Sequence, residues 1–119
     1  MSDKKPLRTL FCIGVNQNFF DATPDEAKQV WVAFSSMLKG LATLPGVRIL
    51  GTIDDDQIMV GPSLHAPWTA YILADVPDMD TATAACNLFR VTPVGDGTYK
   101  LWKYCRVEAR LGRELAIPQ

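Results

Sequence analysis

One short segment constrains this chain more than any other. Thr23-Pro24-Asp25-Glu26 reads as the start of a long helix. Thr23 can accept from a free backbone N–H, Pro24 suits the first helical position, and Glu26 completes a capping box. The two acids also favour the positive end of the helix dipole. Ala27, Val30, Trp31, Phe34, Met37, Leu38 and Leu41 then recur at helical spacing and form one apolar stripe. Pro45-Gly46 stops the helix near Leu44. A helix with a single apolar stripe needs a second layer to cover it. Trp31 and Phe34 are expected to face that layer and line the core.

The flanking segments supply it. Leu7 to Val15 alternates as a strand, with Leu7, Thr9, Phe11, Ile13 and Val15 on one side and Arg8, Leu10, Cys12 and Gly14 on the other. Val47 to Ile53 reads as a second strand, which Ile58-Met59-Val60 extends or pairs beside, and Gly61 to Pro67 as a loop. Trp68 to Val76 reads as a third strand, stopped by Pro77. Asp78 or Asp80 can cap a second helix running to about Arg90, whose buried face would be Ala82, Ala85, Cys86 and Phe89. A turn at Pro93 to Gly97 precedes a last strand, Tyr99 to Ala109. The order β-α-β-β-α-β is that of a ferredoxin-like α+β domain, with two helices on one face of a four-stranded antiparallel sheet. At 119 residues the chain holds one such domain and one core.

That arrangement leaves a second sheet face. Strict alternation places Leu10, Cys12, Leu50, Thr52, Tyr71, Leu73, Trp102 and Tyr104 on it, with Asp54, Asp75, Arg106 and Glu108 among them. Such a face is too apolar to meet water, so another subunit or a ligand should cover it, and a homodimer is expected. A net charge of −1 argues against a nucleic-acid partner. No apolar run reaches the roughly 18 residues of a membrane span. Met1 to Pro6 lacks the apolar segment of a secretory signal, so a cytoplasmic protein is expected. Cys12, Cys86 and Cys105 are widely spaced and odd in number, which suits buried thiols better than disulfides or a zinc ribbon.

The element order and the apolar second face resemble the dimeric α+β barrel superfamily. That resemblance implies paired sheets and a ligand cavity, in a superfamily that includes cofactor-free monooxygenases, muconolactone isomerases and haem-binding relatives. Four stretches, Leu50 to Asp56, Ala66 to Asp78, Leu101 to Tyr104 and Glu108 to Arg113, are similar to the small IacB-type proteins. Those are encoded with the enzymes of bacterial indole-3-acetate catabolism. The resemblance carries no catalytic residue with it.

The candidate site residues come from the sequence itself. His65 is the lone histidine and stands three residues before Trp68, so it could act as a general base beside a stacked aromatic substrate, or be a plain loop residue. Trp68, Tyr71, Trp102 and Tyr104 suit either a planar ligand or a subunit interface. Arg106 could grip a carboxylate in a two-pronged hydrogen bond, or pair with Glu108, which in turn could serve as an acid or base. Asp54-Asp55-Asp56 lacks the spacing of a calcium loop and reads as a solvated turn. One histidine alone makes a weak case for haem, and no nucleotide motif is present, so neither cofactor nor metal is expected. Two functions stay open: a small-molecule-binding or auxiliary protein for an aromatic acid, of the indole-3-acetate type, and a cofactor-free monooxygenase or isomerase acting on an aromatic substrate.

Overall fold

A computed structural model describes residues 5–55 and 68–118. The protein is α+β, built on a four-stranded antiparallel sheet of β1 (Leu7–Val15), β2 (Arg48–Asp54), β3 (Ala70–Val76) and β6 (Cys105–Gly112) in the order β2-β3-β1-β6. A short helix α1 (Gln17–Phe20) follows β1, and the long helix α2 is Pro24–Ala42. Helix α3 (Met79–Val91) follows β3. A small hairpin of β4 (Pro93–Val94) and β5 (Tyr99–Lys100) and a 3₁₀ turn at Leu101–Lys103 then lead into β6.

The helix starts are made as the side chains dictate. Thr23 Oγ1 accepts from the Glu26 backbone N–H at 3.2 Å, and Asp78 Oδ1 accepts from that of Thr81 at 2.8 Å. Past the end of α2, Gly46 takes φ +80°, a conformation that a side chain would strain.

One core joins the two layers. Val30, Ala33, Met37 and Leu41 of α2 and Ala82, Ala85 and Phe89 of α3 pack with Phe11, Ile13, Ile72, Ala74, Val76 and Cys105 of the sheet. The helices sit differently on it. The small residues Ala82 and Ala85 let α3 settle close to β3 and β6. Helix α2 carries bulkier residues and leans on α3, β4 and the 3₁₀ turn instead. Every residue of β2 is exposed as a result.

Three features depart from the sequence reading. First, Tyr99 to Ala109 is not one strand. The Asn16 and Asn18 side-chain amides donate to the Lys103 carbonyl, at 3.3 and 2.9 Å, and hold the 3₁₀ turn in place. Trp102 and Tyr104 are thereby removed from the open sheet face: Trp102 projects outward and Tyr104 is buried in the core. Second, β2 carries an irregularity at Leu50. Ile49 is opposite Ala74 but Gly51 is opposite Leu73, so one residue is extra. The pleat then reverses: Gly51 and Ile53 join the open face, while Thr52 and Asp54 turn to the helix side. Third, Trp31 is 57% exposed and Phe34 half-buried, so the core runs through Val30, Ala33, Met37 and Leu41.

Candidate functional site

Because α2 stands off from β2 and β3, a cavity of about 500 Å³ opens beneath it. Val30, Trp31, Phe34 and Leu38 form its helical wall, and Ile13, Ile49, Ala70 and Ile72 its floor. Phe19 of α1 closes one side. The aromatic rings there brace one another edge to face: Phe19 to Trp31 at 6.1 Å and Trp31 to Phe34 at 5.9 Å between centroids. Such contacts hold large flat side chains at low entropic cost. The polar groups on the wall are Ser35, Thr52, Thr69, Tyr71 and Asp54. Asp54 is the single charged residue among the described ones that line it. The size lies within the range of small-molecule pockets, and the mix of apolar walls with few polar groups is typical of them.

The residues singled out from the sequence are not gathered in one place. His65 lies outside the described residues, as do the possible extension Ile58-Met59-Val60 and the loop Gly61–Pro67. Tyr71 forms part of the cavity wall. Trp68 is half-buried and stacks under Arg106, whose guanidinium carbon is 5.6 Å from the ring centroid. Arg106 also donates from Nη1 to Asn16 Oδ1 at 2.8 Å. Its register partner on β1 is Gly14. Glu108, opposite Cys12, pairs with Arg110 at 2.8 Å rather than with Arg106.

Trp102 borders a second, shallower groove with Cys86, Asn87 and Arg90 of α3, and the Arg90 guanidinium lies 5.1 Å from its ring centroid. The Tyr104 hydroxyl is fully buried and makes no well-formed hydrogen bond, with Glu26 and Lys103 as the polar side chains that act on it. Burial raises its pKa first, and the negative charge of Glu26 adds to that. Tyr104 is therefore a core residue, out of reach of a ligand in the cavity.

The open face has a mixed character. Its centre is apolar: Leu10 opposite Leu73, and Cys12 opposite Tyr71, with Ile53 beyond. Around this run two ion pairs, Glu108–Arg110 and Arg8–Asp75, the latter with Nε to Oδ1 at 2.6 Å. All three cysteines are free thiols; Cys12 and Cys105 are buried and Cys86 half-buried. Burial pushes the Cys105 thiol up to about 11.

Sequence reasoning missed most of the cavity, because it placed Trp31 and Phe34 in the core and strict alternation turned Thr52 and Asp54 the wrong way. Gly51 was the available signal, since glycine inside a strand often marks a bulge. Among the described residues no cluster of histidine, cysteine and acid could hold a metal, and no helix is long and apolar enough to cross a membrane. No known family, curated protein or solved structure matches the chain.

Proposed function

We propose that this chain is a small-molecule-binding, auxiliary protein of aromatic catabolism, and that the cavity under α2 receives the ring of its ligand. The carrying observation is the apolar chamber of about 500 Å³ walled by Phe19, Trp31 and Phe34. A bicyclic aromatic such as an indole fits that volume and those flat walls. The cavity lining has no cation among the described residues to pair with a carboxylate. An aromatic acid of the indole-3-acetate type therefore binds ring-inward, with its carboxylate outside the lining. Arg106, held by Asn16 and stacked on Trp68, is not its anchor inside the cavity.

The proposal extends to the fold and the assembly. The sheet order β2-β3-β1-β6 with both helices packed into one core supports a ferredoxin-like domain of the dimeric α+β barrel kind. In the homodimer the open faces meet through Leu10 and Leu73, with Tyr71 and Ile53, which also border the cavity, beside them. The flanking ion pairs form within each chain, so a charge in such a seam keeps its opposite charge beside it. Three free thiols support a reducing, cytoplasmic setting.

The test is a titration of the full chain with indole-3-acetate and with its uncharged amide, followed by calorimetry and tryptophan fluorescence, together with a search for products under air. Saturable binding without turnover, weakened by Phe34→Ala, is the expected result. Turnover that is lost in His65→Ala would replace this reading with the cofactor-free enzyme. Failure of either compound to bind at millimolar concentration would overturn the cavity as a ligand site.

A further inference from the structure

The ligand reading leaves Asp54 unexplained. Its β3 partner is Ala70, and Thr52 beside it pairs with Ile72; both partners form the cavity floor. The extra residue at Leu50 is what turns this carboxylate toward α2 instead of toward the open face. The surrounding wall is apolar apart from hydroxyls. Among the described residues, Asp54 has no ion-pair partner: the two pairs formed are Arg8–Asp75 and Arg110–Glu108. Asp54 is exposed to water at the border of this apolar cavity, where a carboxylate accepts hydrogen bonds and offers none, and repels another anion.

We propose that Asp54 selects the ligand: the cavity takes a planar aromatic ring that bears a hydrogen-bond donor on its edge, such as a ring N–H or phenolic O–H, and Asp54 accepts from that donor. This rests on the reading of the cavity as a ligand site and adds the chemical class and orientation of what enters. The donor edge goes in toward Asp54, and any carboxylate on the ligand lies away from it. Ser35, Thr52 and Thr69 cannot make the same choice, because a hydroxyl either gives or takes a hydrogen bond.

The experiment uses two probes that differ by one methyl group, indole and 1-methylindole, titrated by calorimetry into the full chain and into Asp54→Asn and Asp54→Leu. A hydrogen bond to a charged acceptor should make indole bind about tenfold tighter or more on the natural chain. Asp54→Asn keeps an acceptor and loses the charge, so the preference should shrink to a few-fold. Asp54→Leu should bring the two probes together. Equal affinities on the natural chain would overturn the proposal while leaving the cavity reading intact. A preference that persists in Asp54→Leu would assign it to a wall hydroxyl or to the bulk of the methyl group, and overturn the proposal equally. Should Asp54→Leu not fold, the ratio on the natural chain and on Asp54→Asn still decides. If neither probe binds any form, the cavity reading fails and this inference falls with it.

Discussion

Replacing Tyr104 by Phe should stabilise this protein, against the usual direction of a core substitution. The Tyr104 side chain is 1% exposed, and its hydroxyl makes no well-formed hydrogen bond, although Glu26 and Lys103 both act on it. In the unfolded chain that hydroxyl is bonded to water. Burying it without compensation costs about 1–3 kcal/mol. Phenylalanine keeps the ring in its place among the core residues and removes the stranded oxygen, so no cavity opens beyond the space of one atom. The net gain should be about 1–2 kcal/mol. A 119-residue domain has an unfolding entropy of roughly 0.25 kcal/mol/K, so each kcal/mol raises Tm by roughly 4 °C. Scanning calorimetry should therefore place Tyr104→Phe about 4–8 °C above the natural protein. Urea titration should show a higher midpoint with an unchanged slope. A lower Tm would refute the reasoning, because it would mean that the hydroxyl is satisfied in solution. Glu26 is the group to check next, since its charge already acts on this tyrosine. If Glu26→Gln abolished the Tyr104→Phe effect, the two side chains would be coupled.

Three further outcomes are expected. Leu73 is only 36% exposed at the centre of the open face, opposite Leu10, so Leu73→Asp should turn a dimer into a monomer by light scattering at micromolar concentration, and a monomeric natural protein would remove the dimer outright. Cys105, whose thiol is raised from 9.0 to about 11, stays protonated in the folded chain while the unfolded chain ionises. Its contribution to stability is complete below pH 9 and declines between pH 9 and 11 by about 3 kcal/mol. Cys105→Ala should therefore flatten the alkaline limb of a denaturation series, with Tyr104, also raised, left to steepen it above pH 10. Gly46 has φ +80°, and a Cβ there would meet Pro77 Cγ at 2.9 Å. Gly46→Ala should cost about 1–3 kcal/mol, read as a lower urea midpoint.

How far the sequence alone reaches can be seen element by element. Helix α2 is legible because capping, apolar period and stop signal all agree, and α3 because Asp78 caps it. Strand β1 is legible because Leu7 to Val15 is rich in apolar residues and is closed by the polar run Asn16-Gln17-Asn18. The run from Tyr99 to Ala109 misleads for a physical reason. It alternates as a strand should, yet two asparagine amides from more than eighty residues away hold a turn in its middle. Local pattern carries no trace of partners that distant. The same applies to Arg106: its spacing to Glu108 suggests a pair, but Asn16 and Trp68 meet it first, and Arg110 takes the glutamate.

Strand β2 joins these observations into one argument. Among the described residues it is an edge strand, with Ile49, Leu50 and Ile53 exposed. An apolar edge strand left in that state is a hazard for aggregation unless something covers it. The extra residue at Leu50 divides its side chains between two tasks. By register Ile49, Thr52 and Asp54 lie on the α2 side and Gly51 and Ile53 on the open sheet face, with Ile53 also bordering the cavity. A ligand on one side and a second copy of the chain on the other would each bury part of the same strand. Were both to form, binding and association would be linked through the strand they share. By thermodynamic reciprocity, assembly should tighten the ligand by the same factor that the ligand tightens the dimer. Ligand affinity should therefore fall on dilution below the dimer dissociation constant. The same loss should appear in Leu73→Asp at any concentration, although that residue is not among those that line the cavity.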